Sequence, residues 1–189
     1  MKRINAILIG ALLTGLPFFN TLSAQNKGPM DPMSLDDWTI GLSLGAGTPL
    51  WGNGNGFGPA MKFTFEKGMW QLGPGVLTLG GEGTFSFFAH KYGNDYHEAW
   101  INFIVGARSA YHYGWNVRGL DTYAGIPMGM GFSLYSHDDY AGYSNYFPVY
   151  FYSGIFFGAS YFFNKNLGVN GELGYNSTYA NIGIIYKLN

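Results

Sequence analysis

The chain has 189 residues, of which 47% are hydrophobic, 19% aromatic and only 11% charged, with 30 glycines, no cysteine and a formal net charge of −1. Average domains carry about 25% charged residues, so this chain lacks the surface charge that keeps a soluble domain in water. Without cysteine there is no disulfide, thiol nucleophile or thiolate metal site, and without a basic patch there is no grip for nucleic acid.

Residues 1–24 read as a cleavable export signal. Lys2 and Arg3 are basic, Ile4 to Leu22 is apolar but broken by Gly15 and Pro17, and Leu22-Ser23-Ala24 ends in a small residue before Gln25. Residues 25–36 are polar, hold Pro29 and Pro32, and read as a flexible periplasmic lead-in. No later stretch offers 18 apolar residues in a row, so no transmembrane helix is predicted.

From residue 37 the chain alternates with a period of two, the mark of a strand whose faces see different surroundings. The first strand, Asp37 to Gly47, turns Trp38, Ile40, Leu42 and Leu44 one way and Thr39, Gly41 and Ser43 the other. Thr48 to Gly58 reads as a loop. The second strand, Pro59 to Lys67, sets Met61, Phe63 and Phe65 against Lys62, Thr64 and Glu66, and Gly68 to Gly75 is taken as a turn. The third, Val76 to Phe88, sets Leu77, Leu79, Phe85 and Phe87 against Thr78, Gly80, Glu82 and Thr84, followed by a polar loop from Ala89 to Tyr96.

The fourth strand, His97 to Tyr113, opposes Ile101, Phe103 and Val105 to Asn102, Gly106 and Arg108, with a turn from Gly114 to Val117. The fifth, Arg118 to Phe132, opposes Leu120, Ile126, Met128 and Met130 to Asp121, Tyr123 and Gly125, and Ser133 to Phe147 is the longest loop. The sixth, Pro148 to Phe163, turns Val149, Phe151, Ile155 and Phe157 to the apolar side. After Asn164–Asn166, Leu167–Tyr175 and Tyr179–Leu188 form a closing hairpin around Asn176-Ser-Thr178, with Ile185 as one apolar residue on the polar face.

The pattern predicts an all-β fold: an eight-stranded antiparallel up-and-down transmembrane β-barrel over residues 37–189, lipid outside and polar filling inside. Closure satisfies every backbone group, which lets a chain without an apolar helix span a bilayer. Short turns near 70, 115 and 165 alternate with longer loops near 53, 93 and 140, and in such barrels the short turns face the periplasm. Aromatics gather at both ends, Trp38, Trp70, Trp115 and Tyr186 at one and Trp51, Phe87, Tyr175 and Tyr179 at the other, as two interfacial girdles require.

Glu172-Leu-Gly-Tyr175 followed by Asn181-Ile-Gly-Ile-Ile-Tyr-Lys-Leu188 resembles the closing hairpin of the outer membrane protein beta-barrel domain grouping, related in design to OmpA/OmpX-type barrels. The resemblance covers residues 37 to 188. It implies residence in the outer membrane of a diderm bacterium, contact with outer-membrane lipid, and insertion by the barrel assembly machinery, with Tyr186 as the aromatic read near the C-terminus.

Lys62, Glu66, Glu82, Arg108, Asp121 and Glu172, with Lys187 near the end, share the polar face. Charges removed from water are costly unless paired, so they are read as an interior polar network. Lys62 and Glu82 fall close to opposite across one turn, and Arg108 and Asp121 are expected as diagonal neighbours across the next. The network is read as a plug, with the lining of a narrow pore as the alternative. In the third outer loop Tyr135, Tyr140, Tyr143 and Tyr146 stand among small polar residues, a composition that suits a contact surface for a protein or other surface ligand.

No catalytic, cofactor or metal site is predicted. His90 and His97 with Asp95 and Glu98, and His137 with Asp138 and Asp139, have irregular spacing and read as solvated loops. Gly52-Asn-Gly-Asn-Gly-Phe-Gly58 opens no helix and so is no phosphate loop. The reading is therefore a non-enzymatic outer-membrane barrel with a structural or surface-interaction role. A narrow channel for a small or apolar solute is the alternative, and a lipid-modifying enzyme using Ser136-His137-Asp138 at the rim a more distant one.

Overall fold

The computed structural model describes residues 33–47, 58–92, 96–137, 144–146 and 148–188. The export signal, most of the lead-in and the first outer loop lie outside the described residues. All regular structure among these residues is strand: β1 (Trp38–Gly47), β2 (Gly58–Leu72), β3 (Gly75–Tyr92), β4 (Tyr96–Gly114), β5 (Leu120–His137), β6 (Ser144–Tyr146), β7 (Val149–Ser153), β8 (Ile155–Phe162), β9 (Leu167–Tyr175) and β10 (Thr178–Leu188).

β1 to β5 pair antiparallel in chain order, β6, β7 and β8 each pair with β5, β8 to β10 again pair in order, and β1 pairs with β10 from Trp38↔Leu188 to Gly47↔Thr178, which closes the wall. The ten segments make eight staves, because β6, β7 and β8 lie end to end along β5. Their register on β5 is continuous: Tyr135↔Tyr146, Phe132↔Val149 and Leu120↔Tyr161. Prolines cause the interruptions, since proline has no N–H to give the ladder. Beside Pro127 the contact is reduced to Gly154 N–H donating to the Pro127 carbonyl at 3.3 Å, and Pro148 accepts from Ser133 N–H at 3.0 Å.

The staves are strongly staggered. The pairing path from Trp38 passes through Lys67, Leu79 and Ser109 to Ile126. It continues from Ile155 to Tyr175 and re-enters β1 at Gly47, the opposite end of the strand on which it began. An eight-stranded wall with this stagger has an interior just wide enough for side chains to fill.

Several expected boundaries move. The turn placed at Gly68–Gly75 is mostly strand: β2 runs on to Leu72 through a bulge between Gly68 and Trp70. The reversal is at Gly73, whose φ of 57° suits a residue without Cβ. The polar loop placed at Ala89–Tyr96 is also largely strand, since β3 and β4 stay paired to Tyr92↔Tyr96. Likewise β5 extends to His137 opposite Ser144, within the segment read as the longest loop. Hydrogen bonding along an existing ladder carries these hairpins past the point where hydrophobic alternation stops.

The two faces differ as the alternation predicts. Ile182 is 70% exposed and Phe151 67%, both on the outer wall, whereas Lys62 is 1% exposed on the inner face. Among the described strand residues with described side chains, the outer wall carries one charge, Lys67. It sits at the turn end, 3.1 Å from Asp36 and over the Trp38 ring. Trp38, Trp70, Trp115 and Tyr186 are exposed at that end, and Phe87, Tyr175 and Tyr179 at the other. An apolar wall between two aromatic belts is the exterior of a transmembrane barrel. Ile185 is buried on the inner face, the one place where β10 sends an aliphatic residue inward.

Candidate functional site: the barrel interior

The middle of the interior is a cluster of charges from four staves. Lys62 on β2 lies 3.1 Å from Glu82 on β3 and is ion-paired with Glu172 on β9. Arg108 on β4 is ion-paired with Glu66 through Nε, lies 3.2 Å from Glu82 through Nη1, and 3.0 Å from Glu172 through Nη2. One guanidinium thus serves three carboxylates, each through a different nitrogen of its planar five-donor fork. Phe156 floors the cluster, its ring centroid 4.1 Å from the Arg108 guanidinium carbon and 5.6 Å from Lys62 Nζ.

Glycines provide the space for these contacts. Glu66, Gly80 and Arg108 stand in one cross-strand row, so Glu66 and Arg108 meet over a residue with no side chain. Glu82, Gly106, Gly129 and Tyr152 form a second row, and the Tyr152 hydroxyl reaches across both glycines to donate to Glu82 Oε1 at 2.9 Å. A Cβ at Gly106 would lie 2.7 Å from that hydroxyl.

Below the cluster, toward the tight turns, His112 on β4 sits between two carboxylates. Its Nδ1 is 2.7 Å from Asp121 Oδ2 and its Nε2 is 2.9 Å from Glu66 Oε2, while the ring stacks on Tyr123 at 4.9 Å. The Thr78 hydroxyl, 3.1 Å from Glu66 Oε2, completes that contact. Above the cluster, the Asn176–Thr178 turn is buried rather than raised into solvent. Ser177 donates to Glu82 Oε1 at 3.2 Å and accepts from Thr84 at 2.9 Å, which ties the turn to the charges.

All six interior residues selected by parity are buried. Five of them, Lys62, Glu66, Glu82, Arg108 and Glu172, form the central cluster. The expected Arg108–Asp121 contact does not occur. The turn after β4 includes Gly119 at φ 80°, which sets Gly114 opposite Asp121 and Arg108 opposite Pro127, so Asp121 meets His112 instead. Lys187 stands apart, 3.2 Å from Asp37 at the lower mouth.

His112 was not singled out by its sequence. The signal available was its parity: it lies four residues beyond Arg108 and so shares its face. Of the outer-loop tyrosines, Tyr140 and Tyr143 lie outside the described residues, as do the side chains of Tyr135 and Tyr146. The side chains of His90, His97, Ser136 and His137 also lie outside them.

No protein-family model matches the chain, and no curated protein matches it by sequence. Similar solved structures include Ail, the attachment invasion locus protein of Yersinia pestis, at 10% identity and a TM-score of 0.48, covering 82% of this chain and 100% of that one. A second structure, of Ail in complex with the heparin analogue sucrose octasulfate, matches with the same values. The likeness is one of fold, and the closed eight-stave barrel is established by this chain's own pairings.

Proposed function

We propose that this protein is a non-enzymatic integral protein of a bacterial outer membrane, a structural platform whose outer hairpins make surface contacts. The observation that carries the reading is the filled lumen. Arg108, held by carboxylates from β2, β3 and β9, reaches across the interior, and Ser177 lies over Glu82, which supports a lumen braced by side chains rather than an open channel. With the interior given over to bracing, the surface is where specific work can be done.

The outer end supports a contact role. β3 and β4 remain paired out to Tyr92 and Tyr96, and β5 and β6 out to His137 and Ser144, whereas β9 and β10 reverse at Asn176-Ser177. The longer hairpins carry the tyrosine-rich segment, and Tyr among Ser, Gly and Asn offers rigid amphipathic area at low entropic cost. Residence in the outer membrane is supported by an apolar wall whose one charge among the described side chains, Lys67, sits at the turn end, and by the export signal read at residues 1–24. Cells should fractionate the protein with the outer membrane, and added protease should cut near residues 138–143 rather than 115–119.

Planar bilayer recording tests the reading. The purified barrel should show no ohmic conductance. A steady conductance that changes on Glu82→Gln would replace this reading with that of a narrow channel. Lipid hydrolysis lost on His137→Ala would replace it with that of an enzyme.

A further inference from the structure

We propose that the lower interior of the barrel binds a monovalent cation, held by Asp121 Oδ1, Ser160 Oγ and Asn170 Oδ1. These three buried oxygens have no protein hydrogen-bond partner. They stand on three successive staves, since Asp121 pairs with Ser160 and Ser160 with Asn170. Directly paired residues on one face have Cβ atoms about 5 Å apart, so Ser160 is the direct neighbour of both Asp121 and Asn170, and an ion over Ser160 lies within reach of the two longer side chains on either side. Each residue is more than nine-tenths buried, at 2%, 1% and 6% exposure.

The surrounding contacts leave these oxygens free for a ligand. Asp121 uses Oδ2 on His112, and Asn170 uses Nδ2 on Ser43 at 3.4 Å and has the Tyr123 hydroxyl as a further neighbour, so each side chain keeps one buried acceptor oxygen unused. Buried acceptors in native proteins find partners, and partners for three oxygens must bring positive charge or protons.

The charge balance selects a cation. The interior holds the carboxylates of Glu66, Glu82, Asp121 and Glu172 against Lys62, Arg108 and His112. Among the described interior side chains one negative charge is unmatched even when both His112 nitrogens carry protons, and Lys187 is matched by Asp37. A single carboxylate with two neutral oxygens offers a hard, oxygen-only site of one unit of charge. Divalent calcium takes six to eight oxygens and often several carboxylates, and no group of three His, Asp or Glu side chains among the described residues could hold a metal ion. The fit is therefore to sodium or potassium with water completing the shell.

The test uses the folded barrel in lipid vesicles. Replacing choline chloride by sodium chloride at constant ionic strength should raise the urea midpoint of the wild type saturably. Asp121→Asn and Ser160→Ala should each flatten that response. Crystals soaked in thallium(I) should show an anomalous peak among the three oxygens. A wild type indifferent to sodium, with no thallium peak, would mean that water alone occupies the site and would overturn the proposal. A sodium response unchanged in both variants would also overturn it, because the ion would act elsewhere. Should the variants fail to fold, the presence or absence of the thallium peak in the wild type decides.

Discussion

β4 presents two solvents to its two faces within a few residues. Val105 on the outer face is 58% exposed, and Arg108 on the inner face is 3% exposed with three carboxylates around it. On the outer face the neighbours of a side chain are other apolar side chains and lipid, and nothing there depends on which strand lies next door. On the inner face each polar group needs a particular partner from a particular stave. The outer face therefore tolerates exchange among apolar residues, while the inner face is held by specific geometry.

The largest effect should come from breaking the inner face at its hub. Arg108→Met leaves Glu66, Glu82 and Glu172 competing for Lys62 and His112. Removing one member of a buried ion pair costs about 3–5 kcal/mol, and urea unfolding in vesicles should show a loss of that size. A loss under about 1 kcal/mol would mean that water screens the cluster.

The outer face should break next, in a depth-dependent way. Ile126→Arg places a charge near mid-wall and should cost about 2–4 kcal/mol, whereas Leu188→Arg at the turn end should cost about 0–1 kcal/mol. Equal costs for the two, measured in the same refolding assay, would show that Ile126 does not face hydrocarbon.

The smallest predicted effect compares one glycine from each face. A Cβ at Gly80 would lie 2.7 Å from Glu66 Cα and closer still to the Phe65 carbonyl, so Gly80→Ala should cost about 1–3 kcal/mol through crowding. A Cβ at Gly83, on the outer wall, meets only the Ile104 carbonyl at 3.9 Å, and Gly83→Ala should stay within about 0.5 kcal/mol of wild type. If thermal melts rank the two the other way, crowding does not distinguish the faces.

Period-two alternation was legible from the residues alone, and with it the barrel, the apolar exterior and the inward side of Lys62, Glu66, Glu82, Arg108, Asp121 and Glu172. The reason is local: a strand residue's face is set by its own parity, whatever the rest of the chain does. The ends of the elements were less legible. Met69 is an extra residue in the β2–β3 ladder, and the β3–β4 hairpin continues through Ala89–Lys91, where sequence polarity suggested a loop. Both are products of pairing with a neighbour, to which alternation within one strand is blind.

Partners inside the barrel were decided by tertiary structure. Arg108 takes Glu66 rather than Asp121 because a tight turn at Gly119 sets the β4–β5 register and Gly80 leaves room between Glu66 and Arg108. Glu172 reaches Lys62 and Arg108, far away in sequence, only because the wall closes on itself through β1 and β10. Ser177 covers Glu82 only because the short last hairpin bends into the lumen. Parity can state which charges must be neutralised away from water; which charge neutralises which depends on register, stagger and closure, and these are properties of all eight staves together.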